Sequence, residues 1–146
     1  MISVLIVDDH ILIREVIKTF LETTPDIQVV ATAENGIESV TATRQHRPDV
    51  VIMDISMPYM DGLEATRQIL NDFPNTRVVM LSSHDNPVYI RNALEAGAKG
   101  YIVKDEITNE LIEAVRSLYH GRRYFCRQVA NLIDQYIDKD SDIWVD

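Results

Sequence analysis

Cysteine is nearly missing from these 146 residues: Cys126 stands alone, so no disulfide can form within the chain, and no Cys/His cluster has zinc-ligand spacing. Cytosolic chemistry fits that usage. Long apolar runs are missing too, and none reaches the length that spans a bilayer. The N-terminus, "MISVLIVDDH", has no basic flank and places acids where a signal peptide would stay apolar. A soluble, cytoplasmic protein without a membrane partner is expected. Positive charge is scarce: 14 Lys and Arg face 23 Asp and Glu, and the formal net charge of −9 argues against a chain that tracks a phosphate backbone. The local exception is "HGRRYFCR", residues 120 to 127, which reads as a solvated surface segment, with a partner or linker contact as the alternative. No internal repeat or low-complexity tract occurs.

What the chain does have is apolar content, 46% of its residues, enough for one domain with a real core. Short β-branched runs alternate with amphipathic stretches, the pattern of βαβ units around a parallel sheet. Strands are expected at "ISVLIVDD", "DIQVVATAEN", "DVVIMDI", "TRVVMLSS" and "AKGYIVK". The first helix, from Ile11, repeats apolar residues at Ile13, Val16, Ile17, Phe20 and Leu21, a face suited to the sheet. The second, "GIESVTATRQHRP", is weakened by Ser and Thr. A third covers "GLEATRQILNDF". A fourth begins at Pro87 after the possible caps Asp85 and Asn86 and ends at Gly97. The fifth runs from Thr108, its expected N-cap, to Gly121. Beyond it, "QVANLIDQYIDKDSDIWVD" reads as a short helix leading into an acidic tail, in which Asp134, Asp138, Asp140, Asp142 and Asp146 face only Lys139.

Open α/β sheets bind ligands outside the carboxyl ends of their strands, where the strand order reverses. Strand one ends in Asp8 and Asp9, strand three in Asp54, strand four in Ser82 and Ser83, and strand five in Lys104. If the order is 2-1-3-4-5, three carboxylates converge on one rim. Each raises the pKa of the next, and a hard divalent cation such as Mg²⁺ relieves the repulsion. Lys104 adds a mobile positive charge on the far side. A carboxylate beside Mg²⁺, with a hydroxyl and an ammonium at hand, has the parts to accept a phosphoryl group. Strand three is apolar because it is central, and Pro58 and Asp61-Gly62 then turn the chain into the next helix.

The set "VLIVDDH", "DVVIMDISMPYMDGLEAT", "VVMLSSHD" and "ALEAGAKGYIVKD" resembles the receiver domain of two-component response regulators, particularly of the NarL/FixJ (LuxR-type) family, over about residues 1 to 125. The resemblance implies a doubly wound, flavodoxin-like or CheY-like (βα)5 fold with a short C-terminal helical extension. It implies Asp54 as the phosphoacceptor, with Asp9 and Asp54 binding Mg²⁺ directly, the Ser56 backbone carbonyl as a further ligand and Asp8 acting through water. Ser82 matches the switch hydroxyl, Lys104 the lysine that contacts the phosphoryl group, and Tyr101 the aromatic whose ring moves inward on activation. The pair Lys104-Asp105, where many receivers have Lys-Pro, is usual in this subfamily. The implied partners are a sensor histidine kinase and a second copy in a phosphorylation-linked homodimer. The expected role is a phospho-accepting signalling domain that assists its own phosphorylation and dephosphorylation, not an enzyme in the ordinary sense.

Residues 1–121 are expected to be the receiver and 122–146 an extension or linker. The family's DNA-binding helix-turn-helix domain has no room in so few residues, so the chain is read as a piece of a longer transcription regulator, with a natural single-domain receiver as the alternative. An unphosphorylated pseudo-receiver acting as an adaptor is the rival function. A haloacid-dehalogenase-like hydrolase is disfavoured, because its second Asp would fall at Ser56. Duller readings exist residue by residue: Asp9 as a helix cap, Ser82 as a strand-end hydroxyl, Lys104 as a surface lysine, Tyr101 as packing, His10 as a capping or surface residue. The gathering of Asp9, Asp54, Ser82 and Lys104 on one rim argues against the cap reading of Asp9, while His10 is expected to be a surface or capping residue. His84, two positions beyond Ser82, is placed to modulate water access, and Cys126 is expected to be half-buried and inert.

Overall fold

In a computed structural model, which describes residues 1–104 and 108–136, the alternating segments form six strands and six helices. These are β1 (Ile2–Val7), α1 (Ile11–Leu21), β2 (Ile27–Ala33), α2 (Gly36–His46), β3 (Val50–Asp54), α3 (Gly62–Asp72), β4 (Arg77–Ser82), α4 (Pro87–Glu95), β5 (Gly100–Val103), α5 (Thr108–Tyr119), β6 (Tyr124–Phe125) and α6 (Arg127–Tyr136). Neighbouring strands pair in parallel in the order β2-β1-β3-β4-β5-β6. The expected order 2-1-3-4-5 is therefore present, with one strand added. The Thr108 cap and the residues from Asp138 to Asp146, Trp144 included, lie outside what the structure describes, as does Asp105.

Side-chain alternation along each strand feeds two cores. Leu5, Val51, Met53, Met80 and Tyr101 pack on one face with α2, α3, α4 and α6, while Ile6, Ile52, Val79 and Ile102 pack on the other with α1 and α5. β3 is buried along its whole length because both of its faces are covered. The fold is doubly wound, as expected.

Local chemistry explains the helix ends. Asn35, Asp61 and Asn86 accept hydrogen bonds from backbone N–H groups in the first turns of α2, α3 and α4. Gly97 and Gly121 follow α4 and α5 with φ of 106° and 81°. The Ser and Thr residues of α2 do not break it, since Ser39 and Thr43 donate back to the carbonyls of Gly36 and Ser39 inside the core.

Three expectations need correction. Val16 is 51% exposed, because the buried stripe of α1 runs through Ile17 and Leu21 with Ile13 packed beside it, leaving Val16 off its edge. The basic segment 120–127 is not simply solvated: Tyr124 and Phe125 pair with Gly100 and Tyr101 of β5. The Tyr124 hydroxyl also donates to Glu110 at 2.8 Å. Cys126 follows and is fully buried, not half-buried, with its N–H donating to the Tyr101 carbonyl. Val129 and Ile133 of α6 join the same core as Ile90 and Ala93 of α4.

Candidate functional site

Strand register gathers the polar ends. Val7 pairs with Met53, so the next residues, Asp8 and Asp54, leave the sheet side by side. Asp54 pairs with Leu81, one short of Ser82, and Ser82 pairs with Val103, one short of Lys104. Asp8, Asp54 and Ser82 are each nearly inaccessible to solvent, whereas Asp9 is partly open and Ser56 is exposed.

Lys104 is not on a far side of this rim. Its Nζ lies 3.1 Å from Asp8 Oδ2 and 3.3 Å from Asp54 Oδ1, tying the two carboxylates together. Burial pulls the lysine's pKa down, but Asp54 and Asp8 outweigh it and the net shift is upward. Asp54 shifts the other way from an ordinary paired carboxylate: burial first, then the charge on Asp8, push it up to about 6 against the opposing pull of Lys104. One ammonium does not neutralise three acids.

The remaining acid contacts go to a residue that pattern reading left as a cap. His10 Nδ1 sits 3.0 Å from Asp8 Oδ1 and 3.1 Å from Asp9 Oδ1, and the His10 N–H donates to Asp8 Oδ1 at 2.9 Å. Asp9 does not cap α1; His10 holds the N-cap position, without a side-chain cap bond. Only adjacency to the acids hinted at His10. Arg14 donates to the Asp8 carbonyl at 2.7 Å, anchoring the turn from behind.

Residues Asp8, Asp9, His10 and Asp54 each offer a ligating atom within 4.8 Å of the others. Asp8 Oδ2 is buried and, despite its ion pair with Lys104, accepts no aligned hydrogen bond. Three carboxylates, one with an orphaned oxygen and one with raised proton affinity, fit a hard divalent cation.

Two loops frame the pocket. Gly62 sits so close to the end of β3 that a Cβ there would lie 2.1 Å from the Asp54 carbonyl oxygen, and its N–H donates to the Ile55 carbonyl. The bend between them puts exposed Tyr59 at φ 71°, in the left-handed region. On the other side, Ser82 Oγ accepts from the His84 N–H at 3.0 Å, and His84 Nε2 lies 3.5 Å from Ser56 Oγ. The His84 ring stacks on Tyr89 of α4 with centroids 4.0 Å apart. Tyr101 is fully buried and donates its hydroxyl to the His84 carbonyl at 2.5 Å; burial pushes its phenol up to about 12. Gln128 of α6 donates to Asp85 in the same loop at 2.5 Å, a contact between distant segments that no local pattern signals.

A doubly wound sheet whose strand ends assemble acids, a hydroxyl and a lysine defines the class of CheY-like receiver folds. Residues 4–116 match the family described as the response regulator receiver domain, and the chain belongs to that family. It is the receiver domain of a two-component response regulator of the NarL/FixJ type. The transcriptional regulatory protein DegU of Brevibacillus brevis is 40% identical over 136 residues, covering 92% of this chain and 58% of that protein. The response regulator GacA of Pseudomonas protegens is 42% identical over 130 residues, covering 89% and 61%. The crystal structure of a LuxR-family response regulator from Aurantimonas superposes with a TM-score of 0.88 at 33% identity, covering 91% of this chain and 95% of that one. The chain thus spans less than two thirds of the length of either sequence relative. Among the described residues, no helix is long and apolar enough to cross a membrane.

Proposed function

We propose that Asp54 accepts a phosphoryl group from a phosphohistidine of a sensor kinase. The observation that carries this reading is the single ammonium of Lys104 set between Asp8 and Asp54, with the Ser82 hydroxyl ending the adjacent strand. An Asp54 carboxylate oxygen attacks phosphorus, the P–N bond breaks, and the histidine nitrogen leaves with the electron pair and takes up a proton. An acyl phosphate on Asp54 is the product. Mg²⁺, when bound, neutralises charge on the phosphoryl oxygens. Asp9, Asp54 and the Ser56 carbonyl are its direct ligands in this reading, and Asp8 holds it through water.

The chain's own residues do the rest. Lys104 turns its ammonium to the new oxygens, adding to the stabilisation of a group that carries about −1.5 to −2 charge. Ser82 Oγ gives up its bond from the His84 N–H and donates its proton to a phosphoryl oxygen. That frees the loop 83–86, to which Tyr101 and Gln128 are bonded. His84, beside Ser56, stands where it limits the approach of water to Asp54.

For the homodimer, the edge of β5 is already taken by β6 and the side of α4 by α6. Ile11, Leu12 and Val16 of α1 are exposed apolar side chains, so the α1 face is our choice for the contact with a second copy. Output through DNA is assigned to a helix-turn-helix segment outside these 146 residues. Incubation with acetyl phosphate and Mg²⁺ followed by intact mass tests the central step: one added phosphoryl group is expected on the parent chain and none on Asp54→Asn. An unlabelled parent would favour the pseudo-receiver adaptor instead.

A further inference from the structure

At the opposite end of the sheet lies a cleft of about 460 Å³ between the starts of β4 and β5 and the turn after α5. Arg77, Lys99 and Arg122 line it, with Asn75, Gly97 and Gly121 among its walls, and no acidic residue does. This is unexpected in a chain of net charge −9. Among the described residues, none of these three cations has a side-chain hydrogen bond or ion pair. Lys99 and Arg122 follow the last turns of α4 and α5, where cations offset a helix dipole. Arg77 has no such reason to be there. It begins a strand, is half-buried, and its Nη2 reaches across to within 3.9 Å of the position a Cβ on Gly121 would take. Asp49 and Asp72 line a neighbouring depression beyond Pro74 to Thr76, and the Asp49 carboxylate is already held by Ser3.

Gathering three like charges around one concavity costs free energy that a counter-anion relieves. A partly buried guanidinium without a partner asks for a planar, multi-oxygen acceptor, and phosphate suits it. The volume falls in the range of small-molecule sites. We propose that this cleft is a binding site for a small phosphorylated molecule, up to about nucleotide size, separate from the Asp54 rim. β4 alone, six residues long, sets the two sites roughly 15 Å or more apart.

Pyrophosphate, titrated into the full chain without metal and at constant ionic strength, is the probe, followed by calorimetry and amide NMR. The expected result is saturable one-to-one binding, with shifts at residues 74–77, 97–99 and 121–122. Arg77→Gln should weaken it at least 10-fold, and the triple change Arg77→Gln, Lys99→Gln, Arg122→Gln should abolish it, while thermal melting shows the variants folded. Asp54→Asn and Lys104→Gln should bind as the parent does. Three outcomes overturn the proposal: no saturation in the millimolar range, binding that survives the triple change, or shifts confined to the Asp54 rim. Association with vesicles containing phosphatidylglycerol, without any response to free pyrophosphate, overturns it as well.

Discussion

Lys104 holds Asp54 at 3.3 Å with the same Nζ that reaches Asp8 at 3.1 Å. Removing that ammonium leaves two buried carboxylates facing each other. Lys104→Gln is expected to lower the stability of the metal-free chain at pH 7.5 by about 1–3 kcal/mol, less than for a fully buried pair because Lys104 keeps some solvent contact. Urea denaturation measures this, and added Mg²⁺ should recover part of the loss.

Asp54 carries a pH signature of the opposite sign to a usual paired acid. Its folded pKa, about 6, lies above the ~3.9 of an unfolded Asp, so the native state binds the proton more tightly. Ionised Asp54 therefore costs stability above pH 6. That cost is relieved as pH falls through 6 and is gone near pH 4. Asp54→Asn should stabilise the metal-free chain by on the order of 1–2 kcal/mol at pH 8. The gain should vanish by pH 4; a gain of equal size at both values would refute the raised pKa.

Tyr59 occupies the left-handed region at φ 71° with 86% of its surface exposed, so its side chain gives little packing in return for the strain. Tyr59→Gly should raise stability by about 0.5–1 kcal/mol, the strain relief exceeding the entropy glycine adds to the unfolded chain. The thermal midpoint reports it.

Gly62 packs directly against the backbone of Asp54. In Gly62→Ala, a Cβ 2.1 Å from the Asp54 carbonyl must push β3 or α3 aside. We expect a loss of roughly 2–3 kcal/mol together with slower labelling by acetyl phosphate. Parent-like labelling would mean that the rim tolerates the displacement.

Residues 122–136 contribute to the core of the fold. Ending the chain at residue 121 removes buried Cys126, Val129 and Ile133 and uncovers the Tyr101 side of the sheet. At about 1.5–3 kcal/mol for each large apolar side chain, a loss of several kcal/mol is expected, seen as a lower urea midpoint.

The strand-end acids, Ser82 and Lys104 were legible because each closes an apolar run, and a rim where such runs end together is a consequence of parallel pairing. Asn86 was legible as a cap because it stands just before Pro87, whereas Asp61 was legible only as part of a turn and its cap bond to the Glu64 N–H was not. What one dimension concealed was pairing. Lys104 bridges Asp8 and Asp54 instead of standing opposite them, and His10 meets both Asp8 and Asp9; both facts depend on side-chain reach. β6 was illegible because two residues are too few to show alternation, and their neighbours Arg122, Arg123 and Arg127 mask them. Val16 misled because an apolar residue at helical spacing need not face inward.

The sixth strand also settles which flank of the sheet another polypeptide can extend. β6 offers only two rungs, too short a template for strand addition, and α6 packs beside it. The opposite border is β2, seven residues from Ile27 to Ala33 with Gln28 and Thr32 open to solvent. Any augmentation by a foreign strand is thereby restricted to the β2 margin, where it would lengthen the sheet away from the buried Tyr101.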